Sequence, residues 1–302
     1  MNPFVEYFRS PEGVTEPGPY REALAELPGD VEQLCRIVQG LLIHPAWLPE
    51  YGVGIPHDRV IVEQQARTAI QVLDTVFGLE GGPLAETRPP ELRAVATCRN
   101  FSLLLCTILR THGTAARLRC GFAPYFRTGH YLDHWICEYW SETGNHWVRV
   151  DPQLDTLQRQ ALAIEFDPLD IPIEDYLYAG EMWVMYRRER VDPGLCGIYD
   201  LNGPGFIKGS IVRDILALNK FEAMPWDLGW GILEKGELGE VDRKELSFVD
   251  RLARCSANSL VHLAHSFFRD DDRIRFPEGW DLSMAPRLEQ LKTVPGSAEG
   301  GC

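Results

Sequence analysis

A change of hydrophobic period between residues 96 and 122 is the feature that most constrains the fold. The apolar residues of the first part recur at the spacing of one helix face: Phe101, Leu104, Leu105, Ile108 and Leu109. In the ARLRCGF that follows, Leu118, Cys120 and Phe122 alternate with arginines, which predicts a strand. The chain therefore changes from helix to strand within this short stretch.

Two further strands are predicted directly after it. The segments HWICEYW (134–140) and HWVRVD (146–151) are rich in aromatic and β-branched residues, and the turn-like SETGN (141–145) separates them. We interpret the two segments as a β-hairpin. A helix followed by antiparallel strands indicates an α+β fold, in which the helix packs on an antiparallel sheet.

The sequence also predicts where this helix begins and ends. Thr97 is a suitable N-cap, and Gly113 suits the position just past the helix end, where φ is positive. Cys98 therefore lies in the first turn. Because the positive end of the helix macrodipole stabilises a thiolate there, Cys98 is a candidate nucleophile.

The rest of the chain is interpreted as extensions of this core. Helices are predicted over 30–43, 58–77, 208–220 and 246–268, whereas 1–28 and 81–90 are predicted to be irregular and the pattern weakens over 152–205. We divide the chain into a helical N-terminal extension (1–90), a catalytic core (91–155), a mixed, mostly helical C-terminal region (156–292) packed on the core, and a flexible tail (293–302).

Composition excludes several classes of protein. The 302-residue chain has a net charge of −14, and an acidic surface repels phosphate backbones, so no nucleic acid partner is expected. No apolar run reaches the roughly eighteen residues of a membrane span. The charged start MNPFVEYFRSPEG lacks the apolar core of a secretory signal, so we expect a cytoplasmic protein without membrane contact. The eight cysteines form no C-x-x-C or other tight pair, so neither a zinc site nor a disulfide framework is expected. No cofactor or metal is predicted.

The predicted hairpin supplies a base and an orienting carboxylate for a cysteine nucleophile. If Ser141–Gly144 forms a four-residue loop, Trp140 opposes Asn145. His134 then lies directly opposite Asp151 on the same face, with Cβ atoms about 5 Å apart. A carboxylate there can accept the imidazole Nδ1–H and fix its tautomer. The interpretation depends on the register, because a slip of one residue would separate the two side chains.

Other polar residues of the hairpin fit these roles less well. His146 would oppose Tyr139 on the other face, and Asp133 has the wrong parity to share a face with its neighbour His134. Asp155 lies beyond Pro152, where the strand should have ended. Taken alone, His134 also fits a buried histidine in an aromatic-rich sheet.

Several motifs in this order resemble the core of the transglutaminase-like superfamily over residues 95–155. The residues that fill the family's pattern after its cysteine are Arg110, Gly113, Ala116, Arg117, His134, Trp135, Trp147, Val148, Val150, Asp151 and Pro152. The resemblance implies a papain-like cysteine core with Cys98 as nucleophile, His134 as base and Asp151 as orienting residue. Many members have G-x-C-x-D where this chain has ATCRN (96–100), which alters the surface around the cysteine.

The implied reaction is cysteine-dependent acyl transfer or amide hydrolysis through a thioester. The acyl donor is expected to be a peptide or a small molecule, and the acceptor water or an amine, as in amide formation during natural-product tailoring. The backbone N–H of Cys98 is one candidate oxyanion donor. Candidates for the second donor are Gln64, Gln65 and Trp47, each of which is also explained by packing or a helix surface.

Residues beside the nucleophile and the base are candidates for substrate binding. They are Trp135, Arg99 and Asn100, with the two helix residues expected to be solvated or to line a cleft. The aromatic residues over 125–147 are explained equally well by a substrate wall or by core packing. The alternative function is a non-catalytic binding or scaffold protein on the same fold, since fold does not determine function.

Overall fold

The computed structural model describes residues 3–236 and 239–275, so the predicted tail over 293–302 lies outside the described residues. The chain forms two compact units. The first comprises the residues up to Leu118 together with Trp135–Pro172, and the second comprises Arg119–His134 together with the described residues from Ile173 onward. Among the described residues, no helix combines the length and apolarity needed to cross a bilayer.

The first unit contains most of the predicted core. Its helices are α1 (Pro3–Tyr7), α2 (Arg21–Ala25), α3 (Val31–Leu41), α4 (His57–Glu63), α5 (Ala69–Leu79), α6 (Cys98–Thr111) and α7 (Thr156–Ala161). Its strands are β1 (Leu42–Ile43), β2 (Ala94–Val95), the start of β3 (Ala116–Ala123), the end of β4 (Tyr131–Ser141) and β5 (His146–Val150). Strands β1 and β2 form a separate parallel pair.

The second unit contains the remaining parts of β3 and β4 and the C-terminal elements. These are β6 (Leu177–Tyr178), α8 (Ala179–Arg187), β7 (Cys196–Ile198), β8 (Leu201–Asn202), α9 (Pro204–Ala217), α10 (Leu246–Ala257) and α11 (Val261–Asp270). The main sheet has the strand order β6-β3-β4-β7-β8, with β5 paired to β4. The α+β class is confirmed, but the sheet is mixed rather than antiparallel because β7 pairs with β4 in parallel.

Side-chain caps decide where the helices of the first unit begin, and so whether a predicted helix is one helix or two. The helix predicted over 30–43 is confirmed as α3, and the Asp30 carboxylate accepts the Gln33 N–H at its start. The single helix predicted over 58–77 is wrong, because Thr68 and Gln71 form a capping box that begins a new helix, α5. Val62, near the end of the first of these two helices, is 70% exposed.

The structure also differs from the sequence prediction in two other stretches, 246–268 and 152–205. The helix predicted over 246–268 is interrupted between α10 and α11, where Ser259 has a φ of +50°. The weakly patterned stretch 152–205 contains α7, β6, α8, β7 and β8, which are too short to show a period in the sequence. The helix predicted over 208–220 is confirmed as α9.

The N-terminal segment, predicted to be irregular, forms short helical turns that pack on the first unit. Phe8 is fully buried, and its ring meets Trp147 edge to face at a centroid distance of 5.8 Å. The Phe8 carbonyl accepts the backbone N–H of Ala116, at the start of β3. The guanidinium of Arg117 lies 4.1 Å from the centroid of the Trp147 ring. The segment is therefore fixed to β3 and to the hairpin.

Strand β3 is buried along its whole length, although the alternation of apolar residues with arginines is typical of a half-exposed strand. Its two arginines are paired with carboxylates instead of water. In the first unit, Arg117 Nε donates to Glu138 at 2.7 Å. In the second unit, Arg119 makes two parallel hydrogen bonds of 2.8 Å to Asp214 of α9. These pairings allow a charged strand to lie in the interior.

Candidate active site

Cys98 is the first residue of the 14-residue helix α6 and is 9% exposed. Thr97 has the extended backbone of an N-cap, as predicted, but its side chain does not cap the helix. Its hydroxyl instead donates to Asn100 Oδ1 at 2.9 Å. The position of Cys98 at the helix start is therefore confirmed, whereas the capping hydrogen bond is not.

Asn100 fastens a loop of the N-terminal extension to the helix start. Its Nδ2 donates to the carbonyl of Ala66 at 2.8 Å, and it is 1% exposed. Ala66 lies between α4 and α5, next to two of the candidate oxyanion donors. One buried amide thus holds that loop against the first turn of α6, which begins with Cys98.

The three candidate donors in this region differ in their surroundings. The amide Nε2 of Gln64 donates to the carbonyl of Val60 at 3.0 Å. The amide Nε2 of Gln65 is shielded from solvent and has no hydrogen-bond partner among the described residues. Trp47 ends a short 3-10 turn, Pro45–Trp47, and is partly exposed. Gln65 alone of the three combines burial with an unused donor.

The candidate substrate-binding residues are buried. Arg99 is 0% exposed and Asn100 is 1% exposed, so neither side chain is solvated, and the alternative that they line a cleft stays a prediction. Trp135 is also 0% exposed, and its carbonyl accepts the hydroxyl of Ser102 at 3.0 Å. Such enclosure favours packing over direct substrate contact for Trp135.

His134 lies at the end of the Arg119–His134 segment of the second unit and is 2% exposed. The rings of Phe126 and Tyr125 meet its imidazole edge to face, at centroid distances of 4.7 Å and 6.0 Å. Its backbone carbonyl accepts the hydroxyl of Tyr176 at 3.0 Å. Both the ring and the backbone of this histidine are therefore held by aromatic residues.

The acidic neighbour of this histidine has different surroundings. Asp133 is buried, and the Sγ of Cys120 lies 3.8 Å from its Oδ1. Burial raises the pKa of the Asp133 carboxyl, and the charge of Arg213 opposes that shift. A carboxyl that burial drives toward its neutral form is a poor orienting partner for an imidazolium.

The hairpin is confirmed, but its predicted register is wrong by two residues. Trp140 pairs with Trp147, and Ser141 with His146, so residues 142–145 form the loop. The turn closes on Ser141 because Asn145 adopts a φ of +53° and donates its N–H to the Ser141 carbonyl at 2.7 Å. A shift of two residues leaves each side chain on the face predicted for it.

Asp151 follows the last residue of β5, and its environment fixes the carboxylate. The hairpin pairs Val150 with Cys137, and this register does not bring Asp151 opposite His134, so the predicted direct pairing of the two residues is wrong. Asp151 is 1% exposed, its Oδ1 accepts the Gln153 N–H at 2.9 Å, and its own N–H donates to the Pro168 carbonyl at 2.8 Å. The catalytic role of this carboxylate stays a prediction.

Tyr176 is a further residue at this site that the sequence does not reveal. It lies in the weakly patterned stretch 152–205, where a single tyrosine is not distinguished by spacing or motif. Its contact with His134 joins residues 42 positions apart in the chain. Only a prediction that β6 pairs with β3 would have indicated that Tyr176 lies near His134.

Comparison with known families supports the resemblance seen in the sequence. Residues 86–152 match the family model of the transglutaminase-like superfamily, whose members are generally enzymes of cysteine-dependent acyl transfer or hydrolysis. The matched segment contains Cys98, His134 and Asp151 and is consistent with a papain-like core. Residues 1–85 and 153–302 lie outside it. Neither the curated proteins nor the solved structures contain a significant match to the chain.

We predict that Asn100→Asp detaches the loop at Ala66 from α6. A carboxylate cannot donate to the Ala66 carbonyl, and its burial beside that oxygen should lower the free energy of unfolding by about 3 kcal/mol at pH 7. The loss should shrink as the pH falls to about 4, because the folded state then binds the proton that restores a donor. Urea unfolding at both pH values measures this.

The matched control is Asn258→Asp, which removes an exposed amide that donates to the Arg254 carbonyl at 2.9 Å. We expect it to change stability by less than about 0.5 kcal/mol. Equal effects of the two substitutions would contradict a special role for Asn100.

Proposed function

We propose that this protein is a cysteine-dependent acyltransferase or amide hydrolase that forms a thioester on Cys98. The observation that carries the proposal is the contrast among the four cysteines of the family-matched segment. Cys98 begins a helix and retains some exposure, whereas Cys106, Cys120 and Cys137 lie inside α6, β3 and β4 and are 0% exposed. Burial also raises the pKa of the Cys120 and Cys137 thiols well above the ordinary value. Those thiols are poor nucleophiles.

The proposed reaction uses the three residues that the family resemblance implies. The Cys98 thiolate attacks the carbonyl carbon of an ester, thioester or amide, and His134 protonates the leaving group. Asp151 fixes the tautomer of His134 and stabilises the imidazolium. Water or an amine then attacks the thioester, which releases an acid or an amide and restores the thiol.

The surroundings of these residues support the proposal. The Cys98 N–H belongs to the first turn of α6, where backbone donors and the macrodipole favour negative charge. The Asp151 carboxylate is oriented by the Gln153 N–H. The imidazole of His134 is flanked by aromatic edges, which restrict its rotation. Pre-organisation of this kind is what acyl transfer requires.

Within this reaction we assign the second oxyanion donor to Gln65. A buried amide N–H is normally hydrogen-bonded, and the oxyanion of a tetrahedral intermediate would supply the acceptor that Gln65 Nε2 has not found among the described residues. The next residue, Ala66, is fixed to the first turn of α6 through Asn100. Gln64 is less suitable because its amide is already used by the Val60 carbonyl.

The proposed acyl donor is a peptide or a small molecule, and the acceptor is water or an amine. Amide formation in natural-product tailoring is one setting that suits such a reaction. The proposed compartment is the cytoplasm, where a nucleophilic thiol stays reduced.

An activated ester tests the proposed thioester directly. We expect incubation with p-nitrophenyl acetate to add one acetyl group to Cys98, detected by intact-mass and peptide-mass spectrometry, and an added amine to remove it as an amide. Cys98→Ala should abolish the adduct, whereas Cys106→Ala, a cysteine of the same helix, should retain it. Absence of an adduct at Cys98 would favour the non-catalytic alternative.

The role of Gln65 is tested by comparing two reactions of the same thiol. Gln65→Ala should slow acylation of Cys98 by the ester about 100-fold, because removal of one oxyanion donor costs roughly that factor. It should leave alkylation by iodoacetamide unchanged, since that displacement forms no oxyanion. Gln64→Ala is the control and should retain the wild-type acylation rate. Equal slowing of both reactions in Gln65→Ala would contradict the assignment.

A further inference from the structure

We propose that Tyr176 is a positioning residue for His134, supplied to the catalytic core by the region outside the family match. This inference rests on the function proposed above, in which His134 is the base. Tyr176 directly precedes β6, in the second unit, and is 0% exposed. The matched segment ends at residue 152, so no part of the family pattern accounts for this tyrosine.

The Tyr176 hydroxyl binds two strands at once. It lies 3.0 Å from the carbonyl oxygen of His134 on β4 and 3.1 Å from that of Arg119 on β3. A phenol has one hydrogen to donate, so the two carbonyls share it in a three-centre hydrogen bond. The bond fixes the backbone of His134 relative to a neighbouring strand. Because a strand side chain stands perpendicular to its backbone, this contact also sets the direction of the imidazole.

A glycine on β3 makes the approach of Tyr176 possible. A Cβ atom on Gly121 would lie 2.8 Å from the Tyr176 hydroxyl oxygen and 2.9 Å from its Cζ, and 2.2 Å from the carbonyl oxygen of Leu177. Contacts shorter than 3.0 Å are essentially never seen for real Cβ atoms. Gly121 pairs with Tyr178 of β6, so the same glycine admits both the strand and the hydroxyl.

The hydroxyl is held in its protonated, donating form. Burial raises the pKa of Tyr176 well above its ordinary value, so the phenol stays protonated. The imidazole is held separately by Phe126 and Tyr125, which contact the ring rather than the backbone. Tyr176 thus acts on the backbone of the proposed base, and the two other rings act on its imidazole.

The test is a double-mutant cycle read by the rate of Cys98 acylation with p-nitrophenyl acetate. Tyr176→Phe removes the hydroxyl oxygen and should lower the maximal acylation rate about tenfold. The ester concentration at which acylation reaches half of its maximal rate should change little. In the His134→Ala background, the same substitution should have no effect, because the tyrosine acts through the histidine. Gly121→Ala is a second variant, which displaces the start of β6 together with the Tyr176 hydroxyl, and should also slow acylation.

The matched control is Tyr20→Phe, which removes a tyrosine hydroxyl that donates to Asp74 in the first unit, and should retain a rate within twofold of wild type. A wild-type rate in Tyr176→Phe would overturn the inference while leaving the proposed function intact. Equal slowing with and without His134 would also overturn it, since a general loss of structure acts in both backgrounds. If His134→Ala itself acylates at the wild-type rate, the proposed function fails and the positioning role fails with it.

Discussion

The complete burial of strand β3 is the constraint on which the rest of the structure depends. A buried strand with two arginines is stable only if each guanidinium finds a carboxylate, because an unpaired buried charge costs several kcal/mol. Glu138 of β4 meets Arg117 in the first unit, and Asp214 of α9 meets Arg119 in the second. The Asp214 carboxylate also accepts the Cys120 N–H and the Ser256 hydroxyl. In each unit, β3 is therefore held to its neighbours by charge pairing, with Glu138 of β4 in the first and Asp214 of α9 in the second.

The same strand explains how regions outside the family match contribute to the core. The N-terminal segment binds the start of β3 through Phe8, and β6 binds its far end at Gly121. The loop at Ala66 is fixed to the start of α6 by Asn100. The contact at Ala66 lies beside Gln65 and close in sequence to Cys98, both of which the proposed mechanism uses. We infer that the flanking regions help to hold the proposed catalytic groups in position.

Hydrophobic period was sufficient to predict α3, α6, β3, the hairpin and α9, because each of these elements is long enough to show its pattern. The errors arose where local backbone chemistry overrode the pattern. The capping box at Thr68 divided one predicted helix, and the left-handed backbone of Asn145 moved the hairpin register by two residues. Contacts between distant residues could not be predicted at all. The bond from Asn100 to Ala66 and that from Tyr176 to His134 connect segments that no single-sequence pattern relates.

We infer that Cys98 and His134 act together as a nucleophile and its base. The most direct test is the rate of iodoacetamide modification of every cysteine, mapped by mass spectrometry from about pH 5 to 9, in wild type and in His134→Ala. An unperturbed thiol has a pKa of about 8.5 and reacts slowly near neutral pH. We predict that Cys98 reacts fastest of the eight cysteines even below pH 7, and that His134→Ala removes this advantage. The pairing of Cys98 with His134 would be contradicted if Cys98 were modified no faster than the buried thiols. It would also be contradicted if His134→Ala left the rate of Cys98 modification unchanged.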